Sequence, residues 1–220
     1  MNPKRVFVYG AGGHGKVVAD LLLARKVAGF EGFVDDRREL HGSDVVGLPV
    51  LGDGRWLLEQ QAKRGNVAVA LGIGNNHARR AVGERCLAAG IDLLTVVHPA
   101  AVVSGLSLAG KGTVVMAGAI VNPASRLGLG VIVNTGAIVE HDVTVGDYAH
   151  LAPNSTMGGA ARIGMLSQLG IGATVLPGVA IGSATVIGAG AVVIRDLPDS
   201  VVAVGVPATV QKSVAKPARA

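Results

Sequence analysis

VIVNTGAIVEHDVTVGDYAHLAPNSTMGGAARIGMLSQLGIGATVLPGVAIGSATVIGAGAVVI, residues 131–194, repeats in phase every six residues. Extended backwards, the repeat begins at Val103. Of the sixteen residues taken at every sixth position from Val103 to Val193, fifteen are Val, Ile, Leu or Met, and the other is Ala109. The column two residues earlier, Ala101 to Ala191, holds only Ala, Ser, Thr and Val. A period of six is neither the 3.6 of an amphipathic helix nor the 2 of a single strand, so it belongs to a repeating structural unit. A parallel β-helix with three short sides per coil satisfies it. One aliphatic residue per side points to the axis, and a small residue at the next inward position lets the chain turn. Glycine follows the aliphatic at 128, 146, 164, 170, 182 and 188, where a corner needs an unusual backbone angle or close approach of the next coil. Sixteen units make a little over five coils of eighteen residues. A β-sandwich of short strands would let the turn spacing wander.

Composition fits a narrow prism: aromatics are 3% of the chain and glycines number 33. The 220 residues leave room for two modest domains. Met1-Asn2-Pro3-Lys4-Arg5 runs directly into a strand, so no signal peptide is expected, and no apolar run has the length of a membrane span. Cys86 is the lone cysteine and excludes an internal disulfide, which makes the cytoplasm the expected compartment. The formal net charge of +5 favours anionic ligands in general. Part of it sits in the tail at Lys212, Lys216 and Arg219, and the chain lacks aromatic stacking platforms, so nucleic acid is not an expected partner.

The first hundred residues follow another grammar. Val6–Tyr9 reads as a strand, Gly10-Ala11-Gly12-Gly13-His14-Gly15 as a glycine loop, and Val17–Ala24 as an amphipathic helix. A second strand, Gly32–Val34, ends in Asp35-Asp36. A third, Asn66–Leu71, leads through Gly72-Ile73-Gly74-Asn75-Asn76 to a helix from about His77 to Ala89, and a last strand covers Leu93–Val97. This is a small α/β unit with a parallel sheet. The expected organisation is a Rossmann-like domain over 1–98, a β-helix over 99–210 with Pro99 at the junction, and a disordered basic tail over 211–220.

The glycine loop matches GxGxxG and is followed by an acid about twenty residues on. Its physical logic holds for any phosphate: glycines admit the ligand to the backbone, and the helix N-terminus offers free N–H groups. The unit is half the size of a full dinucleotide domain, so a mononucleotide or nucleotide-sugar fits better than NAD. In the β-helix the densest polar cluster is Asn134-Thr135-Gly136-Ala137-Ile138-Val139-Glu140-His141-Asp142, followed by His150. One coil beyond His141 stands Gly159, whose missing side chain leaves space beside the imidazole and an N–H that could seat a thioester or an oxyanion.

The GAGGHG loop, the Asp-Asp pair, the IGNN loop, NTGAIVEHD and the ending VVAVGVPA together resemble bacterial hexapeptide-repeat sugar acetyltransferases, the group serving bacillosamine, N-acetylperosamine and O-acetyl sialic acid. The resemblance runs over nearly the whole chain. It implies a left-handed β-helix and transfer of acetyl from acetyl-CoA to a sugar amine or hydroxyl, usually on a nucleotide. It implies that His141 is the general base, oriented by Asp142, with Asn134 and His150 near acceptor and acetyl group. Gly12, Gly13, His14, Asp35, Asp36, Gly74 and Asn75 would meet the nucleotide-sugar. His150, Gly159, Ile171 and Ala189 would meet acetyl-CoA. Family members are trimers with active sites between neighbouring β-helices, and the flat, Val- and Ala-bearing sides of a prism agree with that assembly.

A sugar ammonium cannot attack a thioester, so a base must take its proton, and histidine is suited to this near neutrality. A carboxylate on the other ring nitrogen fixes the tautomer, and both Asp142 and Glu140 are placed for it. Cys86 lies outside the β-helix and no serine has a nearby histidine, so direct transfer in a ternary complex is expected. A trimeric zinc enzyme on the same scaffold would need three converging histidines, and the repeats hold only His141 and His150; no metal is expected. O-acetylation of a free sugar and a non-catalytic nucleotide-sugar scaffold are the alternatives. His98 reads as a junction residue, His41 and His77 as surface or loop, Trp56 and Met157 as packing, and Lys16, Arg79 and Arg80 as a solvated helix face, with phosphate contact as the alternative.

Overall fold

The structure, a computed structural model, describes residues 4–213. It opens with β1 (Arg5–Tyr9), α1 (Gly13–Ala24) and β2 (Phe30–Val34). A hairpin of β3 (Asp44–Val45) and β4 (Leu48–Pro49) and the helix α2 (Gly54–Arg64) follow. Then come β5 (Val67–Leu71), α3 (Asn76–Ala88) and β6 (Asp92–Leu93). The sheet order is β2-β1-β5-β6, with every pair parallel. The two central strands are continuous apolar runs because both their faces are covered. Val6 and Val8 pack with Val18, Leu21 and Leu22 of α1, whereas Phe7 and Val69 pack with Leu57 of α2 and Val82 and Cys86 of α3. The sequence reading passed over α2, although Asp53 caps it by accepting from the Trp56 N–H at 2.9 Å.

Seventeen two-residue strands, from Val96–Val97 to Val192–Val193, then wind three parallel stacks, each of the first fourteen pairing with the strand eighteen residues on. This is the three-sided parallel β-helix that the repeat implies, left-handed as the resemblance implies. The inward column from Leu127 to Val193 is buried throughout and forms one core with the small column beside it. Hydroxyls of the small column bond to the main chain: Thr113, Ser125 and Ser167 donate to the carbonyls of Gly128, Glu140 and Gly182, fifteen residues on, at 2.6–2.8 Å, whereas the buried Ser155 Oγ has no partner among the described residues.

Three boundaries differ from expectation. The single strand expected over Leu93–Val97 is two: β6 completes the first sheet, and Val96–Val97 pairs with Val114–Val115 as the first rung of the prism. Val97 is the inward column continued back by six, so the β-helix begins before Pro99. Residues 211–213 of the expected tail belong to the strand Thr209–Ser213, which pairs antiparallel with Val201–Val204; residues 214–220 lie outside the described residues. The unusual backbone angle also falls elsewhere. Fourteen residues spaced by six from Gly112 to Gly190 have φ between 51° and 75°, and half of them are not glycine. The glycines after the aliphatic serve close approach instead, as at Gly146, where a Cβ would stand 2.5 Å from the Met165 nitrogen.

One outer face of the prism carries the ladder Val96, Val114, Ile132, His150, Gln168, Val186. The first three are buried in the same core as α1 and the first sheet, so the Rossmann-like domain sits on this face. His150 is the rung at which that apolar cover gives way to polar groups.

Candidate active site

His141 follows the strand Ile138–Val139, at the corner leading to Thr144–Val145. Its Nδ1 lies 2.8 Å from Asp142 Oδ2, and the pair is largely exposed. Glu140 is engaged elsewhere, accepting from Asn122 Nδ2 at 2.9 Å. Of the two carboxylates left open by the sequence, Asp142 is therefore the partner, aided by its left-handed backbone (φ 60°). With Nδ1–H donating to the carboxylate, Nε2 carries the lone pair. Gly159 lies beneath the ring: a Cβ there would meet Cε1 and Nε2 of His141 at 2.7 Å. The space that glycine leaves is taken by the imidazole, and Gly159 is buried. Its N–H donates to no acceptor among the described residues.

The glycine loop joins β1 to α1 with Gly12 as N-cap, and at Gly15 a Cβ would run into the Gly10 carbonyl, so strand end and helix start touch. Beside it lies a cleft of about 340 Å³ lined by Gly10, Gly12, Gly13, His14, Asp35, Arg37, Gly72, Ile73 and Gly74. Gly12, Gly13, His14, Asp35 and Gly74 thus share one cleft, and Asp36 lines its neighbour, about 200 Å³, with Tyr9, Ala78 and Val82. Both carboxylates are already in use within the chain. Asp35 accepts from the Ala11 N–H at 2.8 Å and from the Arg37 backbone and guanidinium at 2.9 Å. Asp36 accepts from Tyr9 Oη, the Gly54 N–H and Arg85, and Arg85 also donates to Tyr9 Oη. Asn75 does not join the glycine-loop cleft. Its Oδ1 caps α3 by accepting from the Ala78 N–H, and it lines a separate hollow with Gln168 and Val186.

His14 extends from the loop toward the β-helix, its ring centroid 6.3 Å from that of His150. His150 Nε2 lies 3.0 Å from Asn134 Nδ2, whereas His14 Nε2 is buried with no partner among the described residues. Ile171 and Ala189 stack one coil apart on the corner above Pro153, both exposed. The expected site residues thus fall into two groups. Asn134, His150, Ile171 and Ala189 sit on or beside the face that meets His14, whereas His141, Asp142 and Gly159 sit at the next corner. The strand Ile138–Val139, a whole side of the prism, separates them.

A model of the PglD N-terminal domain family matches residues 5–86. The GDP-perosamine N-acetyltransferase of Escherichia coli O157:H7 is 30% identical over 158 residues, 69% of either chain. The UDP-N-acetylbacillosamine N-acetyltransferase of Bacillus subtilis is 37% identical over 114 residues, and the chain spans 50% of that relative's length. The crystal structure of PerB from Caulobacter crescentus, in complex with CoA and GDP-perosamine, superposes with a TM-score of 0.87 at 40% identity, covering 94% of this chain and 97% of that one. The chain belongs to the nucleotide-sugar N-acetyltransferases.

Two residues of this N-acetyltransferase escaped the sequence reading. Arg37 lines the glycine-loop cleft, its guanidinium half-exposed and held by Asp35, with Nη2 3.9 Å from where a Gly12 Cβ would stand. Arg79 is no solvated helix residue: it is fully buried, while Arg80 keeps the expected surface role, pairing with Glu84. The signal was available, since Arg79 falls on the same α3 stripe as Asn76, Val82, Gly83 and Cys86. Burial pushes the Cys86 thiol up to about 11, which leaves no thiolate for acetyl transfer. Among the described residues no group of three His, Cys, Asp or Glu could hold a metal, and no helix is long and apolar enough to cross a membrane.

Burial, aided by the nearby Arg79 cation, lowers His150 to about 4; burial, with His150 and Arg79 adding, lowers His14 to about 3. Both imidazoles are neutral at pH 7. The unfolded chain, with histidines near 6.5, therefore takes up protons first as pH falls. Stability is full above about pH 6.5 and is lost below it, by roughly 2 kcal/mol per imidazole at pH 5. The thermal midpoint of the N-acetyltransferase is expected to drop between pH 7 and 5, and a His14→Gln variant to drop less. Equal midpoints at both pH values in the unsubstituted protein would contradict the assignment.

Proposed function

We propose that the protein transfers acetyl from acetyl-CoA to the amine of a nucleotide-linked 4-amino-4,6-dideoxy sugar, the nucleotide being UDP or GDP, in the cytoplasm. The observation that carries this reading is the His141–Asp142 pair lying over Gly159. His141 Nε2 takes the proton of the attacking amine, and Asp142 holds the tautomer and stabilises the imidazolium. The Gly159 N–H, free of any acceptor among the described residues, receives the oxyanion of the tetrahedral intermediate. Collapse expels the CoA thiolate, which His141 can reprotonate, so no acetyl-enzyme forms. The glycine loop and the N-terminus of α1 take the diphosphate, with Arg37 as an added cation.

The working enzyme is a homotrimer with its active sites between subunits. Supporting this, the base corner with His141 and the acceptor face with His14, His150 and Asn134 are a full prism side apart within one chain. A neighbouring β-helix would bring the base corner of one subunit against the acceptor face of the next. Acetyl-CoA would lie in that seam, along Gly159 of one wall and His150, Ile171 and Ala189 of the other.

CoA-thiol release against a panel of UDP- and GDP-linked 4-amino-4,6-dideoxy sugars and free sialic acid tests the proposal. Turnover on one nucleotide-linked amino sugar is expected and would name the nucleotide. Turnover with sialic acid alone would move the chain to O-acetylation. Binding of acetyl-CoA without turnover on any acceptor would make it a scaffold.

A further inference from the structure

Arg79 is the only fully buried arginine among the described residues, and no carboxylate pairs with it. Its guanidinium is satisfied by main-chain carbonyls from both domains and by one amide. Nη1 donates to the carbonyls of Ile73 and Gly74 at 3.0 and 3.1 Å, within the loop that lines the glycine-loop cleft. Nε donates to Gly130 O at 2.8 Å, and Nη2 to Tyr148 O at 2.7 Å and Ala149 O at 3.3 Å, on the β-helix. Nη2 also donates to Asn76 Oδ1 at 2.9 Å, and Asn76 Nδ2 donates to the carbonyls of Leu166 and Ser167 at 3.0 and 3.1 Å. Gly130, Tyr148 and Leu166 are the left-handed corner residues of three successive coils, with φ of 60°, 54° and 61°. Arg79 and Asn76 therefore grip one edge of the prism at three levels. The middle level, Tyr148-Ala149, runs directly into His150.

We propose that Arg79 is a positioning residue that sets the nucleotide-binding loop against the acceptor face, so that a sugar held by its nucleotide reaches the acetyl group beside His14 and His150. This rests on the nucleotide-sugar reading of the cleft above. The planar guanidinium matches six acceptors from two directions, whereas a lysine ammonium offers three donors from one point and cannot hold both loops at once. The loop's own shape has other support, because the Gly72 N–H donates to Tyr9 O at 2.8 Å and Asn75 caps α3. Losing Arg79 would thus leave each binding half intact and misplace one relative to the other. Misplacement of about 1 Å far from the chemistry costs on the order of 10²-fold in rate.

The test compares the unsubstituted enzyme with Arg79→Lys and Arg79→Met, each first checked for an intact circular dichroism spectrum. Calorimetry measures binding of free GDP and UDP, and separately of CoA; steady-state kinetics follows on the nucleotide-linked amino sugar. Folded variants are expected to bind the nucleoside diphosphate and CoA within about threefold, while kcat falls by about 10²-fold. Should one variant fail to fold, the other carries the comparison; failure of both, or weakening of nucleotide, CoA and turnover together, would make Arg79 a stability residue only and overturn the proposal. Unchanged kcat in a folded variant would overturn it as well, with the acetyl-transfer reading untouched. Absence of turnover in the unsubstituted enzyme would overturn that reading, and this inference with it.

Discussion

His141→Ala lowers kcat by roughly 10²–10⁴-fold, the span attributed to general-base catalysis, while KM for the nucleotide-sugar stays within a few-fold. The direction follows from protonation. Without Nε2 beside it, the attacking amine must lose its proton to water, and the protonated form carries no lone pair to the thioester. The variant is expected to fold normally, because the His141 side chain is 63% exposed and its one side-chain bond is to Asp142. Stopped assays of CoA-thiol release, alongside thermal unfolding of both proteins, check the two halves of this expectation. A variant that keeps full turnover would remove His141 from the chemistry, whatever the fold.

Gly159→Ala costs about 10²-fold or more in kcat, for a different reason. The added methyl would stand 2.7 Å from Cε1 and Nε2 of His141, so the ring must swing off the corner. That motion breaks the alignment with Asp142 and fills the approach to the Gly159 N–H; loss of one oxyanion donor alone costs roughly 10²–10³-fold. Gly159 has no positive φ, so alanine adds little backbone strain, and the exposed imidazole can move without opening the core. Steady-state kinetics should show kcat falling with the unfolding midpoint nearly unchanged. Equal activity in the alanine variant would mean that neither the ring position nor the N–H enters the rate.

The β-helix was legible because packing alone dictates its repeat. Each inward aliphatic from Leu127 to Val193 has no other way to be buried, and the phase survives substitution among Val, Ile, Leu and Met. The start of the prism was misread by one rung because Val97, in phase with the column, also continues the apolar run from Leu93. The corner angle was misplaced for a related reason. Residues such as Ala124, Tyr148 and Leu166 adopt left-handed φ because the coils above and below impose it, and no local signal marks them.

At the site, a one-coil step of eighteen residues was enough to put Gly159 under His141 before any coordinate was known. Three-dimensional partners were less readable. Asp35 and Asp36 look like free ligand acceptors in the sequence, yet Ala11, Arg37, Tyr9, Gly54 and Arg85 already donate to them, from segments up to 49 residues away. Asn75 was expected among the nucleotide-sugar contacts, and its side chain caps α3 by accepting from the Ala78 N–H. Arg79 was assigned to solvent on its charge, although its place on the α3 stripe put it inside.

The most direct measurement is identification of the product after acetyl-CoA is mixed with the nucleotide-linked amino sugar that turns over. Nuclear magnetic resonance of the purified sugar should show a new acetamide on the former amine, one equivalent forming per CoA released, with the protein itself unacetylated by mass spectrometry. Acetyl found on an oxygen, or retained on the protein as a kinetically competent intermediate, would contradict direct transfer to the amine.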